Sequence, residues 1–243
     1  MWHLIGTGDN MMRFYDRLHA MIDPSLLDKS GKVFYSGPDA FTKTSKVYLL
    51  GLNPGGTPNE AFSQKIRCEM VKAADPSREP WSYYIHLKKG NGTRGRMPLH
   101  GRVCHLLSRL KLDPTKIPTS NAIFVRSISE SHLHKEEKLK LLAICWPIHQ
   151  KVIEELDVKV ILCMGGTVGK FVRKQMDTDK LSVDKWRETN NRRWRNQVHM
   201  NAAGIQVVTL THPSRADWTQ PNSDPSQLVQ DAIDRCALAM RTI

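Results

Sequence analysis

Several features that would assign the chain to other classes of protein are missing from its sequence. No run of about 18 apolar residues occurs, so no transmembrane helix is predicted. The N-terminal residues lack a charged segment followed by an apolar one, which argues against secretion. No internal repeat, low-complexity segment or linker is present. The sequence therefore predicts a cytoplasmic protein, with residues 1–243 forming a single domain.

Cysteine is also scarce, and its five positions are far apart with no C-x-x-C pair. This spacing argues against a structural zinc ion, an iron–sulfur cluster or a disulfide framework, and it fits a reducing compartment. His132 and His134 are the remaining metal candidates, but no cysteine or carboxylate accompanies them at ligand spacing. We therefore predict neither a metal nor a cofactor.

Positive charge, by contrast, is abundant. The formal net charge is +12 at pH 7 and the pI is about 9.6. A protein of this kind attracts polyanions through counterion release and long-range steering, and nucleic acid is the usual polyanion. The alternative is that the basic surface serves only solubility, or that the protein works close to the ribosome.

Four short apolar runs alternate with segments of helical pattern. Three of the runs are nearly continuous, as expected of parallel strands buried on both faces. The runs cover residues 46–50, 121–125, 158–163 and 206–210. Helical spacing covers 100–110, 136–156, 167–176 and 226–240, and Pro147 is expected to kink or split the second helix. The alternation predicts an α/β fold, a three-layer α/β/α sandwich around a central four-stranded parallel sheet.

Two segments depart from this alternation. Residues 73–96 are rich in proline, glycine, lysine and aromatics, and residues 186–203 interleave arginines with tryptophans. Both are predicted to be long loops, which on a rigid sheet tend to carry function. The second is a candidate to grip DNA phosphates through Arg192, Arg193 and Arg195, although a solvated basic face is an equal alternative.

Unusual residues stand at the end of each predicted strand, where open parallel sheets bind ligands. In chain order they are Gly51, Asn53, Pro54, Gly55 and Gly56; Asn121, Arg126 and Ser127; Gly165, Gly166 and Thr167; and His212, Pro213, Ser214 and Arg215. Singly, each has an ordinary structural explanation as a turn, a cap or a packed histidine. Their convergence on one sheet edge predicts a functional site.

The order of these motifs resembles that of the uracil-DNA glycosylase superfamily. Gly51-Leu52-Asn53-Pro54-Gly55 is similar to its first motif, closest to the mismatch-specific and single-strand-selective branches. Thr211-His212-Pro213-Ser214 is similar to its second motif. Residues 95–102, 120–124 and 145–165 are similar to the stretches between, so the resemblance covers roughly residues 44–218.

The resemblance implies roles for three polar residues. Hydrolysis of a glycosidic bond passes through an oxocarbenium-like sugar and an anionic leaving base. His212 would donate to the base oxygen as a neutral imidazole, and Asn53 would hold the attacking water. Asn121 would read the Watson–Crick edge of a flipped pyrimidine, because an amide both donates and accepts. Since an amide is a weak base, we expect a slower enzyme than one with a carboxylate at position 53.

The pocket for the base would differ from the family pattern at two places. In the uracil-specific branch, a bulky tyrosine closes the pocket against substituents on pyrimidine C5. Gly55 stands at this position and has no side chain to close the pocket. The alternative is that Gly55 is glycine only because the turn needs a positive φ. Leu99 stands where the family has its stacking phenylalanine. Other aromatics that would stack instead are Trp81, Tyr83, Tyr84 and Phe62. The expected base-binding residues are Gly51, Leu52, Gly55, Gly56, Leu99 and Asn121.

Further residues are expected to contact DNA around this pocket. Arg215 or Trp218 would fill the gap left by the flipped base. Besides these two and the three arginines, the expected DNA contacts are Gly165, Gly166, Thr167 and Ser214.

The resemblance implies a DNA glycosylase, and we expect it to act as a monomer on DNA. We expect it to be monofunctional, because no lysine lies in either motif to form a Schiff base and cut the strand. Two substrates remain open: a bulky modified cytosine in antiviral defence, or uracil and mispaired bases in repair. Two rivals belong to other classes. One is a non-catalytic DNA-binding protein on the same fold, and the other is a nucleotide-binding enzyme using Gly165 and Gly166 at a helix N-terminus.

Overall fold

Six strands form one sheet in the computed structural model, which describes residues 14, 17–18, 20–43, 45–58, 61–74, 80–87 and 98–241. The strands are β1 (Val47–Gly51), β2 (Thr119–Asn121), β3 (Val160–Met164), β4 (Ser182–Arg187), β5 (Arg195–Met200) and β6 (Gln206–Leu210). Their order in the sheet is β2-β1-β3-β6-β5-β4. The first four strands in that order are parallel, and β5 and β4 continue the sheet antiparallel.

The predicted parallel strands and fold class are confirmed. β1, β3 and β6 are buried at every position, which explains why their sequences are continuous apolar runs. β2 ends earlier than expected, at Asn121. The chain after it leaves the sheet to follow the loop beyond β1, with the Ala122 amide donating to the Gly51 carbonyl at 2.9 Å.

The predicted number of strands, four, was wrong. The segment 186–203, expected to be a loop, contributes to an antiparallel hairpin made of β4 and β5. β4 is exposed or half-buried at every position because it is the edge strand, so it has no apolar run to reveal it. β5 buries Asn196 and His199 as well as Val198, which hides its pattern in the same way.

Seven helices surround the sheet in the described part of the chain. They are α1 (Pro24–Leu27), α2 (Ile66–Ala74), α3 (Tyr83–His86), α4 (Pro98–Arg109), α5 (Lys135–Glu155), α6 (Gly166–Gln175) and α7 (Ser226–Arg241). α5 is one helix that contains Pro147, so the alternative of two separate helices was wrong. α2 was not predicted, since its apolar face is short.

Two apolar cores, one on each face of the sheet, give the sandwich its three layers. One core packs α2, α5 and α6 against the sheet, and the other packs α4 and α7. The carboxyl ends of the four parallel strands therefore lie at the same end of the sheet, between the two helical layers. Among the described residues, no helix is long and apolar enough to cross a membrane.

Candidate active site

The loop that follows β1, here called the first loop (residues 51–56), is held in place by the chain beyond β2. The amide of Ile123 donates to the Leu52 carbonyl at 2.8 Å, and the amide of Ser127 donates to the Pro54 carbonyl at 3.1 Å. This backbone pairing leaves Asn53 half-buried at the sheet edge. Its position is therefore set both by the end of β1 and by the segment that follows β2.

The side chain of Asn53 has a defined orientation. Its Nδ2 donates to the Pro54 carbonyl at 2.9 Å and to Ser127 Oγ at 2.8 Å. Ser127 Oγ in turn donates to the Ser129 carbonyl at 2.9 Å, so its lone pairs are available to Asn53. No described residue donates to Asn53 Oδ1. That oxygen is the free acceptor of the group, as needed to hold a water molecule.

His212 lies in the second loop (residues 211–215), after β6, and its hydrogen bonds define its tautomer. The Ser214 backbone amide donates to His212 Nδ1 at 3.1 Å, and Ser214 Oγ lies 2.7 Å from the same nitrogen. A backbone N–H can only donate, so Nδ1 carries the lone pair and Nε2 carries the proton. Burial and Arg215 lower the pKa of His212, while Glu130 opposes them. The neutral ring therefore presents Nε2–H as a donor.

The second loop is pinned by a helix on one face of the sheet. Arg102 of α4 donates from Nη1 to the Pro213 carbonyl at 2.7 Å and from Nε to Asp217 Oδ1 at 3.1 Å. On the other side, a Cβ built on Gly165 would lie 3.7 Å from His212 Cδ2, so the end of β3 packs directly against the imidazole. Arg102 thus fixes the backbone next to His212, and Gly165 lies beside the imidazole ring.

Glu130 is a carboxylate of this edge that the sequence analysis did not identify. Its Oε1 accepts from Thr167 Oγ1 at 2.7 Å and from Lys138 Nζ at 3.0 Å. Burial opposes its ionisation, but these bonds outweigh burial and lower its pKa. It interacts electrostatically with His212 and Arg215. Like the other site residues it follows a parallel strand, so the strand-end rule applied to residues 126–130 would have found it.

Asn121 lies over the end of β1. It is buried, and a Cβ on Gly51 would lie 2.1 Å from its Oδ1, so only glycine at position 51 leaves room for the amide. The Tyr35 hydroxyl lies near the Asn121 side chain. The two loops and Asn121 therefore follow or end neighbouring parallel strands at the same end of the sheet.

Gly55 has no backbone reason to be glycine. The positive φ in this loop, +104°, belongs to Gly56 and not to Gly55. No described atom lies within 4 Å of the position that a Cβ on Gly55 would take. The alternative that Gly55 only satisfies a strained turn was therefore wrong, and its lack of a side chain leaves open space beside the site.

The candidate stacking residues have different surroundings, and Tyr83 contacts both Tyr35 and Trp81. It is half-buried, and its ring centroid lies 4.6 Å from that of Tyr35, which neighbours Asn121. Tyr84 is buried and Leu99 packs against the core behind it. Phe62 is 66% exposed on the turn Phe62–Gln64. The stretch Gly95-Arg96-Met97 lies outside the described residues.

The residues expected to contact DNA have different surroundings. Trp218 is fully buried in the core against α7, so its assignment as a gap-filling residue was wrong, because an indole needed inside cannot also reach DNA. Arg215 is exposed. Arg192 stacks on Trp194, with its guanidinium carbon 4.5 Å from the ring centroid, and donates to the Arg215 carbonyl.

The remaining predicted contacts lie at or near the surface. Gly166 and Ser214 are exposed, as are Arg193 in the hairpin turn and Arg195 at the start of β5. Thr167 is half-buried and uses its hydroxyl on Glu130. Gly165 is half-buried against His212.

No site suited to a metal is found among the residues whose positions the structure gives. No group of three or more metal-binding side chains occurs there, and His132 Nδ1 lies 2.7 Å from Ser129 Oγ. A cavity of about 350 Å³ lies at the opposite edge of the sheet, lined by residues such as Trp146, Lys159 and Gln175. It is remote from both loops, so the candidate chemistry lies elsewhere.

Comparison with known proteins adds no family. No protein-family model matches the sequence, and no curated protein matches it.

Proposed function

We propose that the protein is a monofunctional DNA glycosylase that removes a flipped pyrimidine and leaves an abasic site. The observation that carries the proposal is the complementary polarity of the two loops. Among the residues that the structure describes, none bonds to Asn53 Oδ1, an acceptor, or to His212 Nε2–H, a donor. Hydrolysis of an N-glycosidic bond needs one of each, on opposite sides of the sugar.

The chemistry follows from these two groups. Asn53 Oδ1 accepts a hydrogen bond from a water molecule and orients its lone pair toward C1′ of the nucleotide. As the C1′–N1 bond breaks, its electron pair moves onto the base, where His212 Nε2–H stabilises the developing oxyanion. Water then adds to C1′ and loses its proton to solvent. Because Asn53 is a weak base and cannot deprotonate the water, the C1′–N1 bond should break before the water attacks.

The open side of Gly55 supports a pyrimidine with a large group at C5. A bulky modified cytosine, 5-hydroxymethylated or glucosylated, fits this opening, and its removal would serve antiviral defence. Repair of uracil or a mispaired pyrimidine is the second candidate, favoured by the likeness of both motifs to repair enzymes. The partner would be DNA, contacted by a monomer in the cytoplasm.

The decisive experiment compares Asn53→Ala and His212→Ala with the unmodified protein. Duplex and single-stranded DNA containing uracil, a thymine mismatch, 5-hydroxymethylcytosine or its glucosylated form are incubated and then cleaved with alkali. We expect each variant to lose base release by about 100-fold or more while retaining DNA affinity. Unchanged release in both would refute the catalytic assignment. DNA binding without release by the unmodified protein would favour the non-catalytic alternative.

A further inference from the structure

The hairpin of β4 and β5 holds the second loop on both sides of its histidine. The amide of Thr211, directly before His212, donates to Asn196 Oδ1 at 2.7 Å, and Asn196 is buried. Beyond His212, Arg192 Nη1 donates to the Arg215 carbonyl at 2.5 Å. Both bonds join a side chain of the hairpin to the backbone of the loop. A shift of the hairpin would therefore move the backbone on either side of the imidazole.

Arg192 is itself fixed within the turn of the hairpin. Its guanidinium lies on the ring of Trp194, and its Nε is 3.8 Å from Oε2 of Glu188, whose side chain is fully buried. Asn190 Nδ2 donates to the same carboxylate oxygen at 2.8 Å. Asn190 Oδ1 accepts from the amides of Arg192, at 2.9 Å, and Arg193, at 3.3 Å. The turn is thus one bonded unit, and a displacement at its tip is passed through Arg192 to the second loop.

The hairpin also carries two arginines whose positive charges face each other. Arg187 and Arg195 are exposed and lie directly opposite one another in the register of β4 and β5. Like charges at opposed positions destabilise an antiparallel pair. The ion pairs described on this hairpin belong to Glu188 and Asp184, and they include neither arginine. A phosphate between the two guanidinium groups would replace repulsion by attraction, so the hairpin should be more stable on a DNA backbone than without one.

We infer that the hairpin couples contact with the DNA backbone to the position of His212. DNA phosphates bound at Arg187 and Arg195 stabilise the hairpin, and the hairpin holds the second loop through Asn196 and Arg192. The histidine would then be fully positioned only when the protein lies on DNA, and free nucleotides would be poor substrates. This inference rests on the proposed glycosylase function and concerns the regulation of its site. A hairpin that only stiffens the edge of the sheet is the competing explanation.

Amide hydrogen exchange at Thr211 measures the coupling directly, because this N–H group bonds Asn196 Oδ1. The probe is a saturating concentration of duplex DNA without a modified base, so the measurement needs no base release. We expect DNA to slow the exchange of the Thr211 amide about tenfold or more in the unmodified protein. In the double variant Arg187→Gln/Arg195→Gln, saturating DNA should leave the exchange unchanged. Asp184→Asn removes an ion pair elsewhere on β4 and is the matched control, which should keep the slowing.

The rate of base release tests the consequence for His212. Asn196→Leu should lower the single-turnover rate at saturating DNA about tenfold or more while leaving DNA affinity unchanged. Asn196→Asp keeps an oxygen that accepts from the Thr211 amide, so it should recover much of the rate. Arg192→Met releases the other end of the loop and should cause a similar loss. Because Arg192 is exposed, this variant keeps the test decisive if Asn196→Leu does not fold.

The other outcomes separate the coupling from the proposed function. Equal slowing of Thr211 exchange in the double arginine variant would mean that DNA covers the loop directly, which overturns the coupling. Base release without any effect of DNA on the exchange overturns the coupling and leaves the glycosylase function standing. DNA-dependent exchange without release of any pyrimidine refutes the proposed function and leaves the coupling standing. Equal losses of rate and melting temperature in Asn196→Leu and Asp184→Asn would assign the hairpin a purely structural role.

Discussion

At the scale of single residues, the direction of each hydrogen bond shows which atoms of a side chain remain available, and the residue type alone does not. The sequence predicts that a carboxylate at position 53 would act faster than the amide. In the structure, both Nδ2 contacts of Asn53 require a donor, and an aspartate would place an oxygen against the Pro54 carbonyl. At position 53 an aspartate would be the stronger base, but it would lose the hydrogen bonds that orient the side chain. Only the three-dimensional contacts show this conflict.

The rate of base release should fall at acidic pH as His212 becomes protonated. Two neighbouring charged residues should shift the pH of this fall in opposite directions. Protonation of Nδ1 would break the bond from the Ser214 amide, so activity should fall as the pH drops through a pKa below 6.5, the ordinary value for histidine. Arg215 lowers that pKa and Glu130 raises it. Arg215→Gln should therefore shift this acidic limb to higher pH, and Glu130→Gln should shift it to lower pH.

The measurement is the single-turnover rate between pH 4.5 and 8. Lys138, which contacts Glu130, and the Arg102–Asp217 pair beside the loop are the other charged groups to keep unchanged. Shifts of the same sign in both variants would show that the limb does not report His212.

At the scale of elements, α4 supplies the brace of the second loop. Because Arg102 bonds the Pro213 carbonyl, Arg102→Met should let the loop move and slow base release by about 10- to 100-fold. Arg109→Met, on the same helix, removes only a 3.9 Å contact with Asp224 and serves as the control. DNA affinity measured by anisotropy should change little in either. Equal rates in the two variants would exclude the brace.

Substitutions in the hairpin of β4 and β5 should affect DNA affinity and the rate of base release differently. Arg193 is exposed at its turn, whereas Arg192 is bonded to the Arg215 carbonyl. Arg193→Met should weaken DNA binding and reduce the slope of log affinity against log salt by about 1. Arg192→Met should instead lower the rate at saturating DNA more than Arg193→Met does. An unchanged salt slope in Arg193→Met would remove that arginine from the phosphate contacts.

At the scale of the whole molecule, periodicity predicts the buried part of the fold better than its edge. The parallel strands are recognisable because both of their faces need apolar side chains, and the site follows from where those strands end. β4, β5 and α2 escape prediction because half-buried elements carry polar residues. Trp218 escapes for the opposite reason, since a tryptophan beside a functional motif looks available until packing shows it in the core.

His149 should make the stability of the whole fold depend on pH. It is fully buried with Nδ1 2.9 Å from the Tyr48 hydroxyl, and burial lowers its pKa to about 4. The unfolded chain binds a proton near pH 6.5, so the stability from neutral His149 is present above that pH and is lost as the pH falls toward 4. The loss should reach about 2 kcal/mol between pH 6.5 and 5.

Urea unfolding at several pH values measures this loss, with His149→Phe as the comparison. The variant should start less stable, yet its unfolding free energy should depend less steeply on pH. Identical slopes would mean that His149 does not stay neutral inside the folded protein.

The order of the strands also fixes the distance between the two strands that carry Asn53 and His212. β1 and β6 are separated by β3 alone, so Asn53 and His212 project from strands roughly 10 Å apart. The proposed function would use that interval for a nucleoside lying across the end of the middle strand, with its sugar toward one loop and its base toward the other. Gly165 and Gly166 follow the middle strand directly, so no side chain extends into the interval from those two positions. In the proposed glycosylase, the strand order would thus select the length of the substrate independently of any side chain.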